Sequence, residues 1–175
     1  MTAIKRTLSM MLILLLLAGT SCGPKRSKAK AMIQSASGST LTGEAIFEET
    51  NGGVKMTLTV KGATPGTHAV HLHESGDCSA GDATSAGGHW NPTHEAHGNR
   101  AGGGDFHAGD IANLQVGDDG TGTLEVTAAD WTIGGDDQKN VIGKAVIIHA
   151  NEDDFVSQPA GNAGARVGCG VVEKS

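Results

Sequence analysis

Tyrosine is absent from this sequence, and aromatic residues make up only 3% of its 175 residues, whereas glycine occurs 27 times. Because each glycine inside a helix costs about 1 kcal/mol relative to alanine, this composition excludes a helical bundle. Short strands joined by glycine-rich turns and long loops tolerate it. The composition therefore favours an all-β protein, and the length corresponds to one domain that buries its own core.

The sequence also lacks an excess of positive charge, since its formal net charge is −6. A protein that binds nucleic acid presents a basic face to the phosphates. We therefore expect no nucleic-acid partner.

No apolar run reaches the about 20 residues that span a bilayer. The run Met10 to Ala18 follows two basic residues, which is typical of a signal peptide. Gly19-Thr20-Ser21-Cys22 then resembles the cleavage site of a bacterial lipoprotein, with Gly19 where that pattern prefers a leucine-like residue. We predict a signal peptide over residues 1–22 and a lipid on Cys22, which would anchor an exported protein in the bacterial cell envelope. The alternative is an ordinary cleaved signal peptide and a soluble periplasmic protein.

Three cysteines support this prediction, because an exported protein usually pairs its cysteines. Cys78 and Cys169 lie in the body of the domain, so Cys22 is left over, and a lipid thioether accounts for it. Residues 23–40, rich in lysine and serine over their first part, are predicted to be a flexible tether.

From Leu41 onward the pattern predicts strands. Val54 to Val60 alternates apolar and polar residues, which is typical of a half-buried strand, and it forms a predicted hairpin with Thr42 to Glu48. Further strands are predicted up to Leu72 and over Ile111–Val116, Thr121–Thr127, Lys144–His149 and Ala165–Val172. About eight antiparallel strands with long loops predict a Greek-key β-sandwich or barrel over residues 41–175.

The segment from about Glu74 to Gly109 has no periodicity, and it is crowded with glycine, histidine, aspartate and asparagine. A loop of this length inside a compact domain indicates a function. Metal ligation would hold it in place. The loop and its end contribute His89, His97, His107 and Asp110.

Histidines outside this loop extend the set. His71 and His73 occupy positions i and i+2 of a predicted strand, so both imidazoles face the same side and can reach one ion. His149 ends a distant strand. Imidazole nitrogen suits copper and zinc, and three histidines with one aspartate suit tetrahedral zinc. We leave out His68, which we expect to form hydrogen bonds in the interior, and His94, which we expect in a solvated loop.

Six segments, in order along the chain, resemble the copper–zinc superoxide dismutase family, and the lipoprotein-like start suggests a bacterial member. The resemblance extends from Leu41 to Val172. The segments are His71-Leu72-His73-Glu74 with Gly76-Asp77-Cys78, Ser85 to Pro92, His97-Gly98, His107 to Leu114, His149, and Gly161 to Gly170.

The resemblance implies the role of each candidate residue. One copper ion per subunit would be held by His71, His73, His89 and His149. One zinc ion per subunit would be held by His89, His97, His107 and Asp110, so His89 would serve both metals. Asp153 would link His71 and His97, and Cys78 and Cys169 would form a disulfide.

The implied activity is dismutation of superoxide to dioxygen and hydrogen peroxide by a redox-cycling copper. Arg166 would hold the superoxide anion, and His89 would pass a proton to the reduced oxygen species. Two departures from the family are the short acidic segment between His149 and Gly161, and Ala160 where many members have threonine. A copper-storage protein on the same fold stays an alternative, and the subunit is a monomer or a homodimer.

Overall fold

The computed structural model describes residues 26–135 and 138–175. The predicted signal peptide, Cys22 and the first residues of the predicted tether lie outside this part. The described residues form an all-β fold with two short 3-10 turns at Thr84–Ala86 and Arg100–Gly102. The strands are β1 Lys28–Ser35, β2 Thr42–Thr50, β3 Gly53–Lys61, β4 Gly66–His68, β5 Val70–His73, β6 Leu114–Val116, β7 Gly122–Ala128, β8 Ala145–His149, β9 Arg166–Val171 and β10 Glu173–Lys174.

Nine of these strands follow one another in the order β4-β6-β7-β3-β2-β1-β9-β8-β5, and β10 pairs with β1. The two end strands of this path, β4 and β5, are separated in the chain by Ala69 alone, so the sheet curls back on itself into a nearly closed antiparallel barrel. Connections such as β3 to β4 and β7 to β8 pass over intervening strands, as in a Greek key. The predicted fold class is confirmed.

The hairpin of β2 and β3 forms as its alternation predicts. Val54, Met56, Leu58 and Val60 are all buried, and Phe47 is paired opposite Met56 in the register of the two strands. Phe47 also packs against Trp131, with ring centroids 6.2 Å apart. These side chains belong to the main core inside the barrel.

The tether predicted for residues 23–40 is wrong over Lys28–Ser35, because these residues form strand β1, paired with β2, β9 and β10. Ala29, Ala31 and Ile33 point into the core and are at most 2% exposed, while the residues between them face solvent. The segment therefore has a period of two, but its inward side chains are mostly alanine. Because lysine and serine are frequent in this segment, its composition indicated a tether rather than a strand.

The long loop after β5 is held on the free edge of that strand by its backbone. The Leu72 amide donates to Gly109 O at 2.8 Å, and the Trp90 amide donates to Leu72 O at 2.8 Å. A Cβ atom on Gly109 would lie 2.1 Å from Leu72 O, so this close approach needs glycine. The loop thereby covers the edge of the sheet with the segments that carry its histidines.

No helix in the described part of the chain is long and apolar enough to cross a membrane.

Candidate metal centre

Strand β5 and the loop on its edge bring the candidate ligands together. His71 lies opposite Asp110, and His73 lies opposite His89, as isolated bridges between β5 and the loop. His149 ends β8, the strand that pairs with β5 on its other side. One short strand therefore fixes the positions of residues that are far apart in the sequence.

A first group of four histidines places one ring nitrogen each within 4.8 Å of the others. Its members are His71, His73, His89 and His149. They are at most 9% exposed, and His71 and His89 lie with ring centroids 3.9 Å apart. These are the residues that the resemblance assigns to copper.

The outer nitrogens of three of these rings have oxygen partners. His71 Nε2 is 2.8 Å from Asp153 Oδ2, His73 Nδ1 is 2.9 Å from Gly87 O, and His149 Nδ1 is 3.2 Å from Gly164 O. Because these oxygens accept hydrogen bonds, the ring proton sits on the outer nitrogen and the inner nitrogen keeps its lone pair. The surroundings thus select the tautomer that a metal requires.

A second group shares His89 with the first and adds His97, His107 and Asp110. Asp110 Oδ1 lies 2.9 Å from His89 Nδ1, 3.0 Å from His97 Nδ1 and 3.4 Å from His107 Nδ1. Asp110 Oδ2 accepts hydrogen bonds from the backbone amides of Gly98 and His107. The carboxylate is therefore fixed at the centre of three imidazoles.

Burial keeps three histidines of the first group neutral at physiological pH. It lowers the pKa of His71 to about 4, against the hydrogen bond to Asp153, and it lowers the pKa values of His73 to about 2 and His149 to about 3. A neutral imidazole is the form that binds a metal ion.

Charged side chains occur in the second group. Burial raises the pKa of Asp110, but hydrogen bonds from His89 and His97 outweigh it and hold this pKa far below its ordinary value. Burial lowers the pKa of His97, but Asp110 and Asp153 outweigh it and raise this pKa to about 9. The metal-free second group therefore holds a negative carboxylate beside a protonated imidazole, and a cation of higher charge can replace that proton.

Asp153 joins the two groups, which is the role that the resemblance implies. Its Oδ2 faces His71 Nε2 at 2.8 Å and its Oδ1 faces His97 Nε2 at 2.9 Å. Its own backbone is held by Asn113, whose side chain accepts from Asp153 N at 2.8 Å and donates to Asp153 O at 2.9 Å. The neighbouring Asp154 contacts Ser157 and Asn162 instead.

Arg166 begins β9 directly opposite His149. The guanidinium is half-buried and donates to Ala83 O and Gly87 O at 2.7 Å each. Burial lowers the pKa of Arg166 from its ordinary value, yet an arginine keeps its charge at any working pH. Gly87 O accepts from both Arg166 and His73, so one carbonyl fixes a cation beside the first group.

Sequence reasoning missed Arg100, which holds the backbone of the second group. Its Nε donates to Asp110 O at 2.8 Å and its Nη2 donates to Ala108 O at 2.6 Å, while its guanidinium lies 5.3 Å from the Trp131 ring. The Trp131 indole also donates to Ala108 O, at 2.8 Å. A single arginine in a glycine-rich loop carries no periodic signal, so the sequence offered no reason to select it.

The two histidines left out of the site behave as expected. His68 is buried, with Nδ1 2.7 Å from His149 O and Nε2 2.8 Å from Thr64 O. His94 is exposed in the loop. The two remaining cysteines, Cys78 and Cys169, form a disulfide with Cα atoms 5.8 Å apart.

Four imidazole nitrogens of the first group are buried without any hydrogen-bond partner among the described residues. They are His71 Nδ1, His73 Nε2, His89 Nε2 and His149 Nε2. In the second group, His97 Nδ1 is ion-paired with Asp110 Oδ1 at 3.0 Å. Buried polar atoms without partners are costly, so this many at one place indicates that another group satisfies them. Neutral nitrogen donors around a shared imidazole fit copper and zinc. The fold and the site therefore define a β-barrel metalloprotein with a binuclear centre.

The comparisons with known proteins agree with this class. Residues 41–172 match the family described as copper/zinc superoxide dismutase (SODC). A superoxide dismutase [Cu-Zn] of Onchocerca volvulus is 37% identical over 148 residues, which cover 77% of this chain and 90% of that protein. A superoxide dismutase [Cu-Zn] 2 of Brassica juncea is 37% identical over 157 residues, covering 83% and 96%. The chain belongs to the copper/zinc superoxide dismutase family.

Solved structures show the same fold. A double mutant of a SOD-like protein from Bacillus subtilis has a TM-score of 0.73 and 33% identity, with 81% of this chain and 95% of that chain covered. The clock protein EA4 has a TM-score of 0.74 and 31% identity, with 84% and 94% covered. Because one fold can host more than one function, the candidate metal-binding residues of this chain, rather than its fold, indicate its function.

Proposed function

We propose that this protein is an enzyme that converts superoxide to dioxygen and hydrogen peroxide with one copper and one zinc ion per subunit. The observation that carries the proposal is the convergence of four unpartnered, buried imidazole nitrogens in one group, which shares His89 with a second group of three histidines and one aspartate. Family membership supports it, because both ligand groups are complete in this chain.

The donor sets support the assignment of one group to copper and the other to zinc. His71, His73, His89 and His149 offer four neutral nitrogens, which suit copper. His89, His97, His107 and Asp110 offer three nitrogens and one carboxylate oxygen, which suit tetrahedral zinc. Copper supplies the one-electron chemistry when bound, and zinc supplies charge and ligand geometry without redox change.

The side chains around the first group bind the substrate and move the proton. Arg166 is held beside His149 by two carbonyl oxygens, and N–H groups that these bonds leave free can hold a small anion. His89 faces both ligand groups, and its Nε2 has no partner among the described residues, so this atom would hold a proton when it does not bind copper and would deliver it to reduced oxygen. Asp153 orients His71 and His97 from behind.

Superoxide dismutation by the protein reconstituted with copper and zinc, beside a His73→Ala variant, tests this proposal. We expect fast, copper-dependent loss of superoxide that collapses in the variant. Tight copper binding without turnover above that of free copper would instead support a copper-storage protein. Ala160 and the short acidic segment before it would then be the first residues to exchange for those of active relatives.

The proposal includes export and a lipid on Cys22, in the bacterial lipoprotein manner. The basic and apolar start of the chain and the unpaired third cysteine support it. Because β1 begins at Lys28, only residues 23–27 would separate the anchor from the barrel. Mass spectrometry of protein from membranes should find the lipid, and Cys22→Ser should release an active soluble protein. The mass of that soluble form in solution distinguishes a monomer from a homodimer.

A further inference from the structure

The loop between β8 and β9 contacts His97 from outside the ligand group. Gln158 Oε1 accepts a hydrogen bond from the His97 amide at 2.9 Å, and Gln158 Nε2 donates to His97 O at 2.9 Å. The side-chain amide of Gln158 therefore pairs with both the backbone N–H and the backbone C=O of His97. Gln158 itself is exposed, whereas His97 is only 4% exposed.

The same loop passes directly over the hydrogen bond between His97 and Asp153. A Cβ atom built on Gly161 would lie 1.8 Å from Asp153 Oδ1 and 2.8 Å from His97 Nε2. Gly161 also has φ +63°, in the left-handed region that favours glycine. The loop can cover this hydrogen bond only because position 161 has no side chain.

These contacts leave the His97 ring no freedom. Gln158 fixes its backbone on both sides, Asp153 fixes Nε2, and Nδ1 is directed at Asp110 Oδ1 at 3.0 Å. The next residue is held as well, since the Gly98 amide donates to Asp110 Oδ2 at 3.0 Å. The β8–β9 loop thus determines where His97 Nδ1, the nitrogen proposed to bind zinc, points.

We propose that Gln158 and Gly161 are positioning residues that hold His97 in the orientation that zinc binding requires. The inference rests on the proposed zinc site and adds to it a surface amide and a glycine. Neither residue offers an atom to the metal. Partners that orient a ligand typically change metal affinity by about 10–100-fold when they are removed.

The first variant is Gln158→Leu, which keeps the size of the side chain and removes both hydrogen bonds to His97. Its matched control is Gln115→Leu, which removes a glutamine on β6 whose side chain accepts from Thr67 Oγ1. Zinc and copper affinities of the full chain are measured by competition with chromophoric chelators. We expect zinc binding to weaken about 10–100-fold in Gln158→Leu and to stay unchanged in the control.

The second variant, Gly161→Ala, places a methyl group against the Asp153–His97 contact. Gly38→Ala is its control, because Gly38 has a similar φ of +73° and no atom within 4 Å of a Cβ there. Both variants carry the same backbone cost, so only Gly161→Ala should weaken zinc binding. The visible spectrum of Co²⁺ bound in place of zinc should also change in Gly161→Ala, since it reports the ligand geometry.

The outcomes are distinct because the wild type and His107→Ala are measured together with these variants. Zinc binding in the wild type that is lost in His107→Ala supports the proposed zinc site itself. If Gln158→Leu then binds zinc as tightly as Gln115→Leu does, the positioning role of Gln158 is overturned and the proposed zinc site stands. Equal weakening of zinc and copper would overturn it too, because that result reports general destabilisation. A wild type without a zinc site would overturn both proposals. If Gly161→Ala does not fold, Gln158→Leu decides alone.

Discussion

Breaking the Cys78–Cys169 disulfide tests how the long loop is attached to the barrel. The bond joins residues 91 positions apart and closes the segment that carries every candidate ligand except His71 and His73. In the chain-entropy treatment a loop of this length restricts the unfolded chain by about 4.6 kcal/mol at 25 °C. The sulfur of Cys169 is also packed among alanines and Ile147, and its removal costs about 1 kcal/mol more.

Two comparisons separate these contributions. Oxidised and reduced wild-type protein have the same side chains, so their difference in the free energy of unfolding reports the cross-link alone. The double variant Cys78→Ala and Cys169→Ala, compared with reduced wild type, reports the lost packing. Both are measured in a Cys22→Ser background, which removes the third thiol.

The assay is urea unfolding of the metal-free protein followed by circular dichroism. Metals are removed because they bind the native chain and would add their own stabilisation. With a slope of about 2 kcal/mol per molar urea, reduction should lower the midpoint by about 2 M. A reduced protein within about 1 kcal/mol of the oxidised one would refute the entropic argument, since the unfolded chain would then be restricted by something else.

Three further predictions follow from the site. His107→Ala should lose zinc and keep copper, whereas His73→Ala should lose copper and keep zinc. Metal analysis after dialysis measures both contents. Loss of both metals in either variant would contradict two separate ligand groups. Trp131→Phe should lower the free energy of unfolding by about 0.5–1.5 kcal/mol, because Ala108 O loses one of its two donors and keeps the hydrogen bond from Arg100 Nη2. Denaturant titration measures this change, and an unchanged midpoint would contradict it. In the metal-free protein, His97 binds a proton more tightly when folded, so the stability it contributes is complete below about pH 6.5 and is lost as the pH rises through about 9. His71, His73 and His149 are neutral when folded and act oppositely, because they lower the free energy of unfolding below about pH 6.5. The thermal unfolding temperature should therefore have a maximum near pH 6.5–7, and a steady rise to pH 9 would contradict this prediction.

The sequence determined the chemistry of the site and much of the barrel. The spacing of His71 and His73 on one strand predicted a shared face, and both rings enter the first ligand group. The alternation of Val54 to Val60 predicted a buried face, and these residues lie in the core. Both properties are local, because residue type and a period of two are visible within a few positions of the chain.

The tertiary structure alone decided which part of the polar N-terminal segment is a strand and which nitrogen of each histidine is free. Lys28 to Ser35 become β1 because β2 and β9 offer edges to pair with, although alanine is a weak sign of a core face. Gly87 O, Gly164 O and Asp153 select the tautomers, and Gln158 reaches His97 across 61 positions. Such partners come into contact only when the loops fold onto the barrel, so no local sequence pattern predicts them.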